Sequence, residues 1–164
     1  MKIGIVTIYN VPNYGAILQA YSLAEYLRRE GHEVVLFNVD SPKRHPYIYK
    51  LKRLFKLGFI DKFQQRNYPA ITSNLNEEVD IYMVGSDQVW NIEITQADYD
   101  KYFLAFALHN RKVSYAASFG NNEWDFPSKR NEIRGFLSAF KYITVREEMG
   151  VNILKDEFNM KGNC

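Results

Sequence analysis

The sequence is poor in cysteine, with a single one, Cys164, at its last position. No internal disulfide and no cysteine metal site can therefore form. No apolar run approaches the roughly 18 to 20 residues that span a bilayer. Residues 1–6 are too short an apolar stretch for a secretory leader, and no small-residue cleavage site follows them. These absences lead us to expect a cytoplasmic protein. Internal repeats and low-complexity segments are also missing. There is no GxGxxG fingerprint and no P-loop. The three histidines, His32, His45 and His109, are widely separated and sit near expected turns. None has a partner at metal-ligand spacing, so all three read as surface residues, and neither a metal nor a cofactor is expected.

The rest of the composition is that of a folded chain. Hydrophobic residues make up 46% of the 164 and charged residues 24%, which excludes a disordered chain and suits one domain with its own core. Aromatic residues reach 15%, with 12 tyrosines and 11 phenylalanines. Tyrosine joins an apolar ring to a polar tip and suits half-buried positions, cleft walls and interfaces. The net charge of +2 is unevenly spread. Lys43, Arg44, Lys50, Lys52, Arg53, Lys56, Lys62 and Arg66 face only Asp61 between Lys43 and Arg66, while the remainder carries 13 basic and 18 acidic residues. The chain is thus a mildly acidic body with a basic insert at about 43–66. That insert reads as a solvated amphipathic helical pair covering a sheet, or as a surface for peripheral membrane contact with anionic head groups or a lipid-linked phosphate. The acidic remainder argues against a nucleic-acid partner.

Hydrophobic patterning predicts alternating strands and helices. Residues 2–8 form a continuous β-branched run of the kind buried on both faces in a parallel sheet. A turn-rich stretch follows, and Ile17, Ala20, Tyr21, Ala24 and Leu27 then recur at spacings of 3 and 4 in a helix over 16–29. Arg28 and Arg29 suit its negative dipole end, and Gly31 is a natural stop. Residues 33–39 form a second strand, which makes a right-handed strand–helix–strand unit. In the basic insert Ile48, Leu51, Phe55, Phe59 and Phe63 share one stripe, and Gly58 is expected to divide it into two short helices. Further strands are expected at 80–85, 113–118 and 142–145, with helices at about 129–140 and 147–157. The alternation implies an α/β, Rossmann-like parallel sheet with helices on both faces, in a single domain over 1–164.

Ligands in such sheets bind beyond the carboxyl ends of the strands, so the strand exits carry the candidate chemistry. After the first strand, Asn13 and Tyr14 can hydrogen-bond a sugar or phosphate at a helix start, or Asn13 can simply cap that helix. After the third predicted strand come Ser86, Asp87, Gln88, Trp90 and Asn91. An indole beside planar polar groups suits a sugar, whose rings have apolar faces and hydroxyl rims. Ser86 or Asp87 can equally cap a helix, and Asp87 is also a candidate general base. Ser118 and the small, polar stretch 120–122 leave the fourth strand. Arg146 leaves the fifth, either to face an anion or to pair with Asp87 or Glu147.

At these motifs the sequence resembles the polysaccharide pyruvyl transferase family. Asn13-Tyr14-Gly15-Ala16-Ile17-Leu18-Gln19-Ala20-Tyr21-Ser22-Leu23, followed by Gly31-His32-Glu33-Val34, looks like its opening block. Val84-Gly85-Ser86-Asp87-Gln88-Val89-Trp90-Asn91 resembles its second signature. Tyr102-Phe103-Leu104, Ser114-Tyr115-Ala116-Ala117-Ser118-Phe119-Gly120 and Thr144-Val145-Arg146-Glu147 resemble later blocks in the same order. Ala105 departs from the family, where relatives often carry an acidic residue. The resemblance implies transfer of a pyruvyl group from phosphoenolpyruvate to a sugar hydroxyl pair of a cell-surface polysaccharide or its precursor, giving a cyclic ketal and phosphate, with no metal or dinucleotide. It also implies the N-terminal domain of a glycosyltransferase-B-like two-domain architecture, whose C-terminal domain is absent from this sequence and holds the donor-binding arginines and proposed catalytic histidine.

On this reading Asn13, Tyr14 and Gln19 shape one wall of a cleft. Ser86, Asp87, Gln88, Trp90 and Asn91 shape another for the sugar or lipid-linked acceptor, and Ser118 and Arg146 complete it. Other readings are a nucleotide-sugar glycosyltransferase or a non-catalytic sugar-binding or assembly module. The aromatic content further suggests an apolar surface capable of self-association.

Overall fold

A computed structural model describes residues 1–11, 13–40, 48–108 and 110–164, with the backbone alone over 48–57. His45, His109, Lys43, Arg44 and the side chains of Lys50, Lys52, Arg53 and Lys56 lie outside the described residues, so of the basic side chains in the insert only Lys62 and Arg66 are described, both exposed. Among the described residues no helix is long and apolar enough to cross a membrane.

The first strand, β1, spans Lys2–Val6 and leads to helix α1 at Tyr14–Arg29 and strand β2 at Glu33–Phe37. The Asn13 carboxamide oxygen starts α1 by accepting from the amides of Gly15 at 2.8 Å and Ala16 at 3.3 Å, which removes two of the helix's unpaired donors. Helix α2 then runs unbroken over Ile48–Asn67, followed by β3 at Ala70–Thr72 and β4 at Ile81–Gly85. Two one-turn helices, α3 at Ile92–Thr95 and α4 at Tyr99–Tyr102, lead to β5 at Lys112–Tyr115. Helix α5 at Arg130–Leu137, β6 at Phe140–Tyr142 and α6 at Glu148–Phe158 complete the order.

The strands form a six-stranded sheet in the order β3-β2-β1-β4-β5-β6, and every pairing is parallel. This confirms the α/β Rossmann-like class. The chain winds outward from the centre in both directions, so β1 and β4 flank the switch point, where the two connections diverge and leave a crevice.

Alternation within each strand divides the core. Ile3, Ile5, Val34 and Leu36 point to one face, where Ile17, Ala20, Leu23, Ala24 and Leu27 of α1 pack with Ile60 of α2 and Tyr68. Val6, Val35, Phe37, Tyr82 and Val84 point to the other, beneath Trp90, Phe103, Ile133, Leu137, Ile153, Leu154 and Phe158. Helices α5 and α6 are tied there by the Arg130–Glu157 ion pair. The first face is covered unevenly. Helices α1 and α2 lie over its β1–β3 half, whereas on the β4–β6 half Ile81, Met83 and Val113 are partly exposed and Tyr115 and Tyr142 are exposed.

Several expectations are corrected. Gly58 does not break α2, and its buried stripe passes through Ile60 rather than Phe59, which is 76% exposed. The edge strand β3 was not expected. Strand β5 stops at Tyr115, because Ala116 adopts φ +48 and turns the chain out of the ladder. Strand β6 begins at Phe140, ahead of the predicted 142–145, and Val145 makes only an isolated parallel bridge to Ala117.

Candidate functional site at the switch point

The exits of β1 and β4 are held together by one side chain. The Gln19 amide nitrogen donates to Thr7 Oγ1 at 2.9 Å, to the Ile8 carbonyl at 3.1 Å and to the Ala16 carbonyl at 3.0 Å. Two fixed carbonyls so close to one end of the carboxamide define which end is nitrogen. The other end, Oε1, accepts from Ser86 Oγ at 3.0 Å. The hydroxyl proton of Ser86 is therefore committed to Gln19, and its lone pairs remain available to the crevice as acceptors.

Gly85 lets the β4 exit lie close against β5. It has φ +127, and a Cβ there would lie 1.9 Å from the Tyr115 carbonyl oxygen, so no side chain fits between β4 and β5. The Gly85–Ser86 peptide is cis. Asp87 follows, with Oδ1 accepting from the Gln88 amide at 2.8 Å. Its backbone carbonyl accepts from the Ser118 amide at 3.0 Å, and the Trp90 amide donates to the Ser118 carbonyl at 3.1 Å. These two bonds lace the β4 and β5 exits together. Gly120, at φ +76, completes the lacing, since a Cβ there would lie 2.5 Å from Asn91 Nδ2.

The predicted residues fall into two groups. Tyr14, Gln19, Ser86, Asp87, Gln88 and Arg146 lie at or beside the crevice, exposed or half-buried. Arg146 is tied on both sides, its Nε donating to Glu147 Oε1 at 2.7 Å while Nη1 stands 4.0 Å from Asp87 Oδ1. Asn13 is exposed, and its side-chain oxygen is occupied by the α1 cap.

Trp90, Asn91 and Ser118 point inward instead. Trp90 is 0% exposed, stacked on Phe103 with centroids 5.5 Å apart, and its indole nitrogen donates to the Tyr102 carbonyl at 3.2 Å. It cannot serve as a sugar platform in this arrangement. Asn91 caps α3 through the amides of Glu93 and Ile94. Ser118 is buried, with Oγ accepting from the Gly120 amide at 3.0 Å.

Patterning missed Thr7, the buried partner of Gln19, and a second polar knot at the β2 exit. There Tyr102 donates to Asp40 at 2.8 Å, and Lys101 joins Asp98 at 2.8 Å and the Val39 carbonyl at 3.0 Å. A shallow hollow of about 490 Å³, lined by Gly120, Asn121, Asn122, Glu123 and Asp125, lies beyond the β5 exit. Among the described residues no three His, Cys, Asp or Glu side chains gather as a metal site.

The arrangement is an acceptor-rich crevice: the Ser86 lone pairs and the Asp87 carboxylate stand beside one guanidinium. Such a surface takes hydroxyl donors, and Arg146 adds one group that can face an anion. Residues 13–163 match the family model described as polysaccharide pyruvyl transferase. No curated protein matches the chain.

Proposed function

The chain belongs to the polysaccharide pyruvyl transferase family, and from that premise we propose that its switch-point crevice holds the sugar acceptor for pyruvyl transfer from phosphoenolpyruvate. Two neighbouring hydroxyls of the sugar add to C2 of the enolpyruvyl group. The C3 methylene gains a proton and becomes a methyl group, the C2–O bond to phosphate breaks, and a cyclic ketal and inorganic phosphate result. One hydroxyl proton is thus returned to carbon, and the other leaves with the phosphate or a base.

The observation that carries this reading is the Gln19–Ser86 hydrogen bond, which leaves Ser86 as an acceptor beside the Asp87 carboxylate. Ser86 orients a sugar hydroxyl, and Asp87 accepts its proton as it attacks. Arg146 stands where it can face the phosphate or carboxylate of the donor. The proton donor to C3 and the principal donor-binding cations belong, in this proposal, to a second domain of a two-domain architecture. The same proposal places the reaction on a cell-surface polysaccharide or its lipid-linked precursor in the cytoplasm.

The test is phosphate release from phosphoenolpyruvate with a sugar acceptor by a protein that carries both domains, paired with product mass. A pyruvyl ketal on the acceptor is the expected product. Asp87→Asn should lower turnover about 100-fold or more, within the usual range for a lost general base. Ser86→Ala should lower it about tenfold, with both variants folded. Transfer of a hexose from a nucleotide sugar, or saturable glycan binding without turnover, would replace the proposal with a glycosyltransferase or a binding module.

A further inference from the structure

The buried position of Trp90 removes that indole as a surface for a sugar ring to stack on, and the half of the sheet that is exposed among the described residues supplies further aromatic rings nearby. Tyr115 ends β5 and is 51% exposed; Tyr142 ends β6 and is 63% exposed. Tyr115 pairs with Gly85, and Val113 pairs with Tyr142. Val113 and Tyr115 are two residues apart and share a face, and a parallel register puts Tyr142 on that face too. Tyr142 arrives there through a register shift between Lys112 and Val113, which leaves Lys141 as the extra residue. Without that shift Tyr142 would share the face of Phe140, which packs against the core beneath α5 and α6. A bulge that turns a ring out of the core and into solvent re-aims a side chain.

The two rings lie on adjacent strands, one pair apart along the sheet, so their Cα atoms are about 8 Å from each other. Tyr115 adjoins the crevice through its pairing at the β4 exit. Its partner there is the buried Gly85, and the next residue is Ser86, whose Oγ donates to Gln19. Lys141 sits at the outer end, its ammonium 5.5 Å from the Tyr142 ring centroid. Two exposed tyrosine rings on one face of the sheet, beside the strand exit that carries the Ser86 acceptor, suit a chain of pyranose rings.

We propose that Tyr115 and Tyr142 form a stacking platform for successive pyranose units of an oligosaccharide whose terminal sugar enters the crevice past Gly85 to reach Ser86. The proposal rests on the acceptor reading of that crevice. It makes the substrate at least a di- or trisaccharide rather than a single sugar.

The probes are glucose, galactose and mannose, each as the monosaccharide and as 1→4-linked di-, tri- and tetrasaccharides, followed by NMR on the 164-residue chain. In at least one series affinity should rise with length. Tyr115→Ala and Tyr142→Ala should each weaken the longer ligands about three- to tenfold and leave the monosaccharide unchanged, while Tyr115→Phe and Tyr142→Phe should keep the gain. In the unsubstituted chain, the ring protons of both tyrosines should shift on addition of the tetrasaccharide, a readout independent of how the variants fold. No length gain in any series, a gain that survives the double alanine variant, or unmoved ring protons would overturn the platform. Phosphate release from phosphoenolpyruvate reads the catalytic proposal separately. In a protein that carries both domains, a length gain without turnover leaves the platform standing and removes the transfer reading, and turnover without a length gain does the reverse.

Discussion

Replacing Trp90 separates a core residue from a ligand platform most sharply. The indole is packed against Phe103 at 5.5 Å and 4°, Phe119 at 5.1 Å and 47°, and Phe140 at 5.9 Å and 86°. Trp→Ala in a core costs about 3 to 5 kcal/mol through lost transfer energy and the cavity left behind. Three ring contacts and the lost indole N–H bond to the Tyr102 carbonyl place this site at the top of that range, about 5 kcal/mol. Against a total stability of about 5 to 15 kcal/mol, the loss is severe, and it should lower Tm by about 10 to 20 °C. Trp90→Phe keeps a stacked ring but loses the indole N–H, and should cost about 2 kcal/mol. Urea denaturation followed by far-ultraviolet circular dichroism measures both, since only two tryptophans are present and fluorescence would lose its main reporter. The midpoint should fall with the slope unchanged. A Trp90→Ala protein within about 1 kcal/mol of the parent would refute the packing argument, and weakened saccharide binding in such a stable variant would return Trp90 to the cleft.

The alternation of strands and helices was legible because it rests on local pattern. The run KIGIV and the run EVVLF are continuous and β-branched, and α1 repeats its apolar residues at 3 and 4. Strand β3 escaped notice because Ala-Ile-Thr is short, and its Ala70 and Ile71 are exposed on the sheet edge, so it carries no burial signal. The site was legible as strand exits but not as side-chain directions. An indole flanked by Gln88 and Asn91 looks like a platform in sequence. Only the bonds lacing the β4 exit to Ser118 turn it inward. Gln19 and Ser86 are 67 residues apart, and their bond exists because parallel winding brings the β1 and β4 exits together. Tyr142 is the converse case: alternation from Phe140 would bury it, and one register shift exposes it.

Two further substitutions test local claims. Burial, with Asp40 as a secondary cause, pushes the Tyr9 phenol up from 10.0 to about 12. The native state then holds its proton between pH 10 and 12 while the unfolded chain has lost it, so this contribution to stability is complete below pH 10 and falls as pH rises through that window. Tyr9→Phe should flatten that part of the pH–stability curve, and an unchanged slope would rule out Tyr9 as its source; Tyr68, also raised by burial, adds to the same limb. Gly58→Ala decides whether α2 is one helix. Gly58 is exposed within Ile48–Asn67, and among the described residues a Cβ there meets nothing within 4 Å. A continuous helix gains from alanine at such a site, because the unfolded chain loses freedom while the folded chain loses no contact. The expected gain is about 0.5 to 1 kcal/mol, read as a higher urea midpoint. Two helices meeting at a glycine turn with positive φ would be destabilised by the same methyl group, so a lower midpoint would restore the break at Gly58.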